Sequence, residues 1–430
     1  MLADLAPLRE PAFRRYWTGQ AVSSFGDGMV LVVAAFAVLS VGGSATMLGT
    51  VLAAGSLCRV LSALAGGVAA DRYPRRVVLI SADSSRCVIQ CVIGSLLLSG
   101  MRGPWFLLVG SSLYGIAAGF FGPATSGILP SLVHKDLLQK ANALQSLTRS
   151  IVMVLGPAVA GLLIASAGVG TVYIADGATF ATNVAFLLAV RCSPPPGHGR
   201  RKILSDVVQG WHELMQRRWL PLTMLAHSAW NLGFAAFFVL GPGIIAHHLG
   251  GPIAWGIVSA GLSVGLMIGS AIALRWQPHR PLVVGNLALI LGAAPLLALS
   301  VRAPVAVIAG AAAVSNAGLV LLNAVWSATL QRIIPNYVLA RVTSYDWLLS
   351  FISLPLGYAL AGPSAHLIGD SPALVAAAAF VAIPSALTMM LPTVRRLSAA
   401  SISRAETRGS RGPTEDAPTA RYPTPERKAS

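Results

Sequence analysis

The sequence predicts an all-α integral membrane protein with twelve transmembrane helices in two pseudo-symmetric six-helix bundles. Three observations carry this. Of 430 residues, 55% are hydrophobic and only 11% charged, with a mean hydropathy of +0.70; a soluble domain carries about 25% charged residues. Twelve apolar runs are each long enough to cross a bilayer as a helix, which takes about 20 residues. Polar landmarks of the first six runs recur in the second six at an offset of about 200 residues.

Residues 1–15 read as a cytoplasmic lead. The N-terminal bundle covers 16–190. Its first run is Tyr16–Val41, followed by a Gly42-Gly43-Ser44 turn. The second and third are Met47–Ala70 and Val77–Leu98, and the fourth is Trp105–Gly127. A loop Pro130–Lys140 leads to the fifth, Ala141–Ala167, and Gly168–Gly170 turns into the sixth, Thr171–Val190. The apolar pattern then stops. Residues 191–218 form a polar link opened by Pro194-Pro195-Pro196. Within it Ile203, Val207, Val208, Trp211 and Leu214 recur at helical spacing, which predicts an amphipathic helix on the membrane surface. The C-terminal bundle, 219–394, holds Trp219–His247, Ile253–Leu274, Pro281–Val301, Pro304–Ala328, Val338–His366 and Pro372–Val394. The tail, 395–430, has few large apolar residues and reads as disordered.

A net charge of +16 in a soluble chain would suggest nucleic acid. Here its placement excludes that. Of 31 Lys and Arg, 26 fall on one side of the twelve runs; only Arg102 and Arg302 fall on the other. Basic residues in short loops stay in the cytoplasm, so both termini are expected there, in a cell membrane of bacterial type. The four cysteines have neither zinc nor redox spacing. No cleavable signal peptide is expected, because the first apolar run is too long. No H-E-x-x-H or Walker pattern occurs, so neither an enzyme nor an ATP-driven pump is expected, and no cofactor or metal.

The stretch Gly67-Val68-Ala69-Ala70-Asp71-Arg72-Tyr73-Pro74-Arg75-Arg76 links the second and third runs. It resembles the signature loop of the major facilitator superfamily, with Pro74 where that family has glycine. The resemblance covers about residues 10–395. Repeats between the halves support it: Arg14-Arg15-Tyr16-Trp17 with Arg217-Arg218-Trp219, Leu132–Ala143 with Ile333–Ser344, and Gly156 with Gly357. It implies two parallel halves rocking about a substrate near the midplane, with Asp71, Arg72, Arg75 and Arg76 as a gate and Asp346 as a gate partner. Gly156-Pro157-Ala158-Val159-Ala160-Gly161 is similar to the family's antiporter motif, with Ala160 replacing one glycine. The family's usual arginine of the fourth helix is absent from Gly115–Gly119.

Ionisable residues inside spans are expensive and mark function. Asp27, in Ser23-Ser24-Phe25-Gly26-Asp27-Gly28, matches an acidic position of proton-coupled exporters in this superfamily. It is read as the site of the coupling proton or of a cationic substrate, with a packing or gating aspartate as the alternative. Asp83 and Arg86, three apart, can pair on one helix face. Arg149 and Arg59 are candidate gate partners. His227 and Asn231, one turn apart, can face the cavity. Asp176 is expected as a helix cap near the outer surface.

Phe13-Arg14-Arg15-Tyr16-Trp17, Ser24–Asp27, Gly122-Pro123-Ala124 and Ala141–Leu144 resemble the macrolide-efflux and siderophore-exporter branch of drug:proton antiporters. The resemblance implies export of an amphipathic small molecule against protons, by a monomer in the lipid bilayer. An importer of a small solute and a non-transporting membrane receptor are the alternatives.

Overall fold

The computed structural model describes residues 6–134, 137–190, 215, 219–276, 278–334 and 336–396. The amphipathic helix expected at 203–216, apart from Met215, and most of the 395–430 tail lie outside them.

Among the described residues twelve helices cross the fold: α1 (Pro11–Ser40), α2 (Ala45–Arg72), α3 (Arg75–Leu98), α4 (Trp105–Ile128), α5 (Leu138–Ala167), α6 (Val169–Leu188), α7 (Trp219–His248), α8 (Gly251–Arg275), α9 (Pro281–Ser300), α10 (Val305–Ile333), α11 (Asn336–Ile368) and α12 (Asp370–Met390). A short α13 (Pro392–Arg396) follows. Helix α1 bends by 44° beyond Val30. Helix α9 is broken into Pro281–Ile290 and Ala293–Ser300, which its uninterrupted apolar run did not foretell.

Local chemistry sets the boundaries. Ser44 caps α2 by accepting from the Met47 amide at 3.2 Å. The ten-residue link expected between the second and third spans contracts to Tyr73-Pro74: α2 runs through Arg72 and α3 starts at Arg75. A residue before proline is pushed to extended backbone, and Tyr73 has ψ 155°. Pro74 ends one helix and opens the next. At the other end, Gly168 (φ +83°) and Gly369 (φ +87°) each make a one-residue turn, at equivalent places in the two halves.

The packing pattern repeats. In the first half α1 packs on α5 and α6, α2 on α4, and α3 on α4 and α6; in the second, α7 packs on α11 and α12, α8 on α10, and α9 on α10 and α12. Between the halves, α5 packs on α8 and α2 on α11, the two contacts that a twofold exchange of halves would interconvert. The Gly261, Gly265 and Gly269 stripe of α8 lies against the backbone of Ala309, Ala313 and Ala317 on α10, as Gly55 and Gly115 meet between α2 and α4.

Burial shows which end is closed. Both chain halves contribute to one large apolar core, from Met29–Val38 of α1 through Trp230–Ile245 of α7 to Leu374 and Val381 of α12. At the arginine-rich end there are two separate cores. Phe13, Tyr16, Leu79, Ile128 and Leu187 belong to the first half, and Trp219, Leu220, Trp326, Leu330 and Val342 to the second. Among the described residues the halves are thus joined away from the arginine-rich end and parted at it.

Candidate functional site

Helix α1 is pressed between two neighbours. A Cβ at Gly26 would collide with the side chains of Asp176 and Thr179 on α6, and one at Gly28 would lie 3.4 Å from Gly156 of α5. Asp27, between them, meets α3 and α4. It accepts a hydrogen bond from Tyr114 Oη at 2.6 Å and lies 3.5 Å from Arg86 Nη1. Arg86 donates to Asp83 one turn back, and its guanidinium lies over the Phe121 and Phe180 rings, 4.1 and 4.3 Å from their centroids. The other oxygen of Asp83 accepts from Asn183 Nδ2 at 2.6 Å, and the same amide donates to Gln20 Oε1 at 3.0 Å. Farther along, Gln90 donates to Asp176. Asp83, Arg86 and Asp176 are fully or almost fully buried, but the Asp27 side chain is 40% exposed. Two carboxyl groups, Asp83 and Asp27, therefore flank one guanidinium, and one of the two is open. Such a constellation stands out in an apolar bundle, where charges are kept only when paired or used.

A second polar cluster lies in the other half. Trp326 Nε1 of α10 donates to Asp346 Oδ2 of α11 at 2.8 Å. His227 of α7 packs edge-on against Trp326, with ring centroids 4.9 Å apart, and its Nδ1 is 3.8 Å from Asp346 Oδ1. Asn231 donates to the His227 carbonyl at 3.1 Å.

The structure thus joins Asp27, Asp83 and Arg86 in one site and His227, Asn231 and Asp346 in another. Asp346 bonds within its own half. Arg76, its expected gate partner, donates to the carbonyls of Leu187 and Leu188 at the end of α6, at 2.7 and 2.6 Å. Arg76 thereby satisfies helix-end carbonyls that α6 leaves open. Arg72 is exposed, and the Asp71 side chain lies outside the described part. Arg59 and Arg149 are exposed, with no ion pair among the described residues. Asp176 is not a surface cap. It sits two turns inside α6, wholly buried, because Gln90 meets it there. Gly156 packs on α1, while Pro157 and Gly161 pack on Gly256 and Pro252 of α8.

Gln20, Gln90 and Asn183 were not foreseen. Their signal was present: Asp83, Arg86 and Gln90 on α3, and Asp176, Thr179 and Asn183 on α6, form polar stripes at helical spacing.

Residues 2–412 match the transmembrane secretion effector family. The chain belongs to this family of the major facilitator superfamily. Curated relatives of this facilitator include enterobactin exporters of Shigella boydii and Escherichia coli O1:K1. Each is 30% identical over 220 residues, which is 50% of this chain and 52% of the relative. The chain therefore spans about half the length of the curated relatives it matches. Solved structures of similar fold include the nucleoside transporter NupG, with TM-score 0.72 and 10% identity, covering 90% of this chain and 99% of NupG. Another is a bacterial homologue of the iron transporter ferroportin in an inward-facing state, with TM-score 0.67 and 17% identity, covering 88% of this chain and 99% of that one. These likenesses show a multi-pass membrane transporter fold with the major facilitator architecture.

Proposed function

We propose that this facilitator exports an amphipathic small molecule by exchange for protons, with alternating access through the two halves. The observation that carries the reading is the half-open acid cluster on α1, α3, α4 and α6. Asp27 is the member whose side chain is exposed. Arg86 of α3 stands beside it, supplying the cation that the fourth helix lacks. A proton at Asp27 releases the carboxylate from Arg86; loss of the proton restores the pair. A cationic group on the cargo can replace the proton, so that the two exclude each other.

The arginine-rich end is read as cytoplasmic, so the halves are parted on the side from which an exporter loads. The relatives named for enterobactin export support the direction and suggest a bulky secondary metabolite as cargo. The chain is read as acting alone in the bilayer.

Inverted membrane vesicles test the reading. With the interior acidified, wild-type protein is expected to accumulate a labelled amphipathic compound from a panel of antibiotics and other secondary metabolites. Asp27→Asn should abolish the dependence on the gradient. Gradient-driven accumulation that survives Asp27→Asn unchanged would remove the coupling role, and movement only in right-side-out vesicles would make the protein an importer.

A further inference from the structure

We propose that Arg59 of α2 and Arg149 of α5 form a binding station for an anionic group of the cargo, a carboxylate, sulfonate or phosphate, on the first-half wall of the opening between the halves. The proposal rests on the export reading only for the presence of a cargo. Its geometry is separate from the Asp27 cluster.

Both arginines lie deep in the membrane-crossing part. Arg59 is thirteen positions from Arg72, the last residue of α2, and Arg149 is eleven from Leu138, the first of α5. At 1.5 Å per residue these are depths of about 20 and 17 Å, near the middle of a hydrocarbon layer about 30 Å thick. A long basic side chain snorkels to the interface only near a helix end; at mid-depth it faces a partner or a wet cavity. Both residues are exposed, and neither makes an ion pair among the described residues.

Their direction on each helix points away from lipid. The exposed Leu57, Leu61, Leu64 and Val68 mark the lipid face of α2, and Arg59 lies about 170° round the helix from its centre. Gly55 and Gly66, against α4, and Gly49, against Tyr358 of α11, bracket it. On α5 the exposed Leu147, Ile151 and Leu155 mark the lipid face, and Arg149 lies about 160° away. Thr148 accepts from Trp17 Nε1 of α1 at 3.0 Å on one side, and the Met153 carbonyl accepts from Ser263 of α8 on the other. The α5–α8 contact runs from Gly161 on Pro252, through Pro157 on Gly256, to Met153 on Ser263. Arg149 is one turn beyond, toward the end where the halves part. The two guanidiniums thus border one opening at nearly one depth.

The described acids within the spans are already committed: Asp27 and Asp83 to Arg86, Asp176 to Gln90 and Asp346 to Trp326. The wall therefore presents two positive charges in a cleft whose low-dielectric sides concentrate the field. A guanidinium fork matches planar and tetrahedral oxyanions through paired hydrogen bonds. Asp27 stands sixteen positions into α1, at about 24 Å, a turn or so deeper. A cargo with its acid on the arginines reaches Asp27 with its inner end, where the exchange reading puts a cationic group. An amphipathic zwitterion satisfies both.

Binding tests this without transport. In the purified full-length protein in phosphatidylcholine nanodiscs, dansylglycine, an amphipathic acid, and dansylamide, its uncharged counterpart, are titrated by probe fluorescence against empty discs. Wild type should bind the acid about tenfold or more tightly than the amide, and added KCl should weaken only the acid. Arg59→Gln and Arg149→Gln should each erase most of the preference, and Arg149→Glu should reverse it. Gel filtration checks folding, and either glutamine variant serves if the other misfolds. Phosphatidylglycerol added to the discs should leave the acid bound; complete displacement would assign the arginines to lipid headgroups and overturn the proposal. So would a wild type with no preference for the acid, or a preference that survives Arg59→Gln and Arg149→Gln together. The titration contains no proton gradient, so its failure and the failure of Asp27-dependent export are separate results.

Discussion

Arg86→Met isolates what holds the acid cluster together. Methionine keeps the apolar stem between Phe121 and Phe180 but removes the guanidinium. Asp83, fully buried, then keeps only the Asn183 amide at 2.6 Å. Leaving a buried charge unpaired costs about 3–5 kcal/mol. At about 2 °C per kcal/mol for a large domain, the melting temperature should fall by about 6–10 °C. Adding Asp83→Asn removes the stranded charge and retains an oxygen that accepts from Asn183. Replacing both members of a buried pair is often neutral, so the double variant should recover most of the loss. Arg86→Lys should not rescue, because a point charge cannot bridge Asp83 and Asp27 while lying flat on two rings. The assay is thermal unfolding in detergent, read by tryptophan fluorescence and checked by gel filtration. If Arg86→Met melts within about 1 °C of wild type, or the double variant melts no higher than the single one, Arg86 is not the counter-ion described.

Tyr114→Phe removes the 2.6 Å bond to Asp27. A hydrogen bond to a charged group is worth about 1.5–3 kcal/mol, so efflux in cells should drop by about tenfold or more at equal protein level. Gly265→Ala sets a Cβ against the Ala313 backbone and should sharply lower folded yield by fluorescent size-exclusion chromatography. Gly310→Ala, which meets nothing within 4 Å, should not. Gly362→Ala sets a Cβ against the Thr46 backbone across the α2–α11 contact and should likewise lower folded yield.

The sequence showed the spans because lipid demands long apolar helices, and that demand leaves a signal at every position. Gly156 was legible through its motif, though not its partner on α1. Which polar side chains meet was harder to read. Asp83 and Arg86 share one helix, so spacing alone paired them. Asp27 and Tyr114 are 87 residues apart and Asn183 and Asp83 are 100 apart, and no local pattern encodes such pairings. Asp176 was misassigned because its place near the start of an apolar run looked like a cap, while its real partner, Gln90, comes from another helix. Arg76 was expected to reach Asp346 across the halves; the carbonyls at the end of α6 are nearer.

The central claim is that two halves joined away from the arginine-rich end exchange that contact for one at it. Spin labels test this directly in a protein whose native cysteines are replaced by serine. One pair, Tyr73→Cys and Trp276→Cys, spans the halves at the arginine-rich end. The other, Met101→Cys and Val301→Cys, spans them at the opposite end; all four sites are exposed. Between pH 8 and pH 5 the two interspin distances should change in opposite senses, and Asp27→Asn should weaken the response. Distances that stay fixed, or that lengthen and shorten together, would contradict the account.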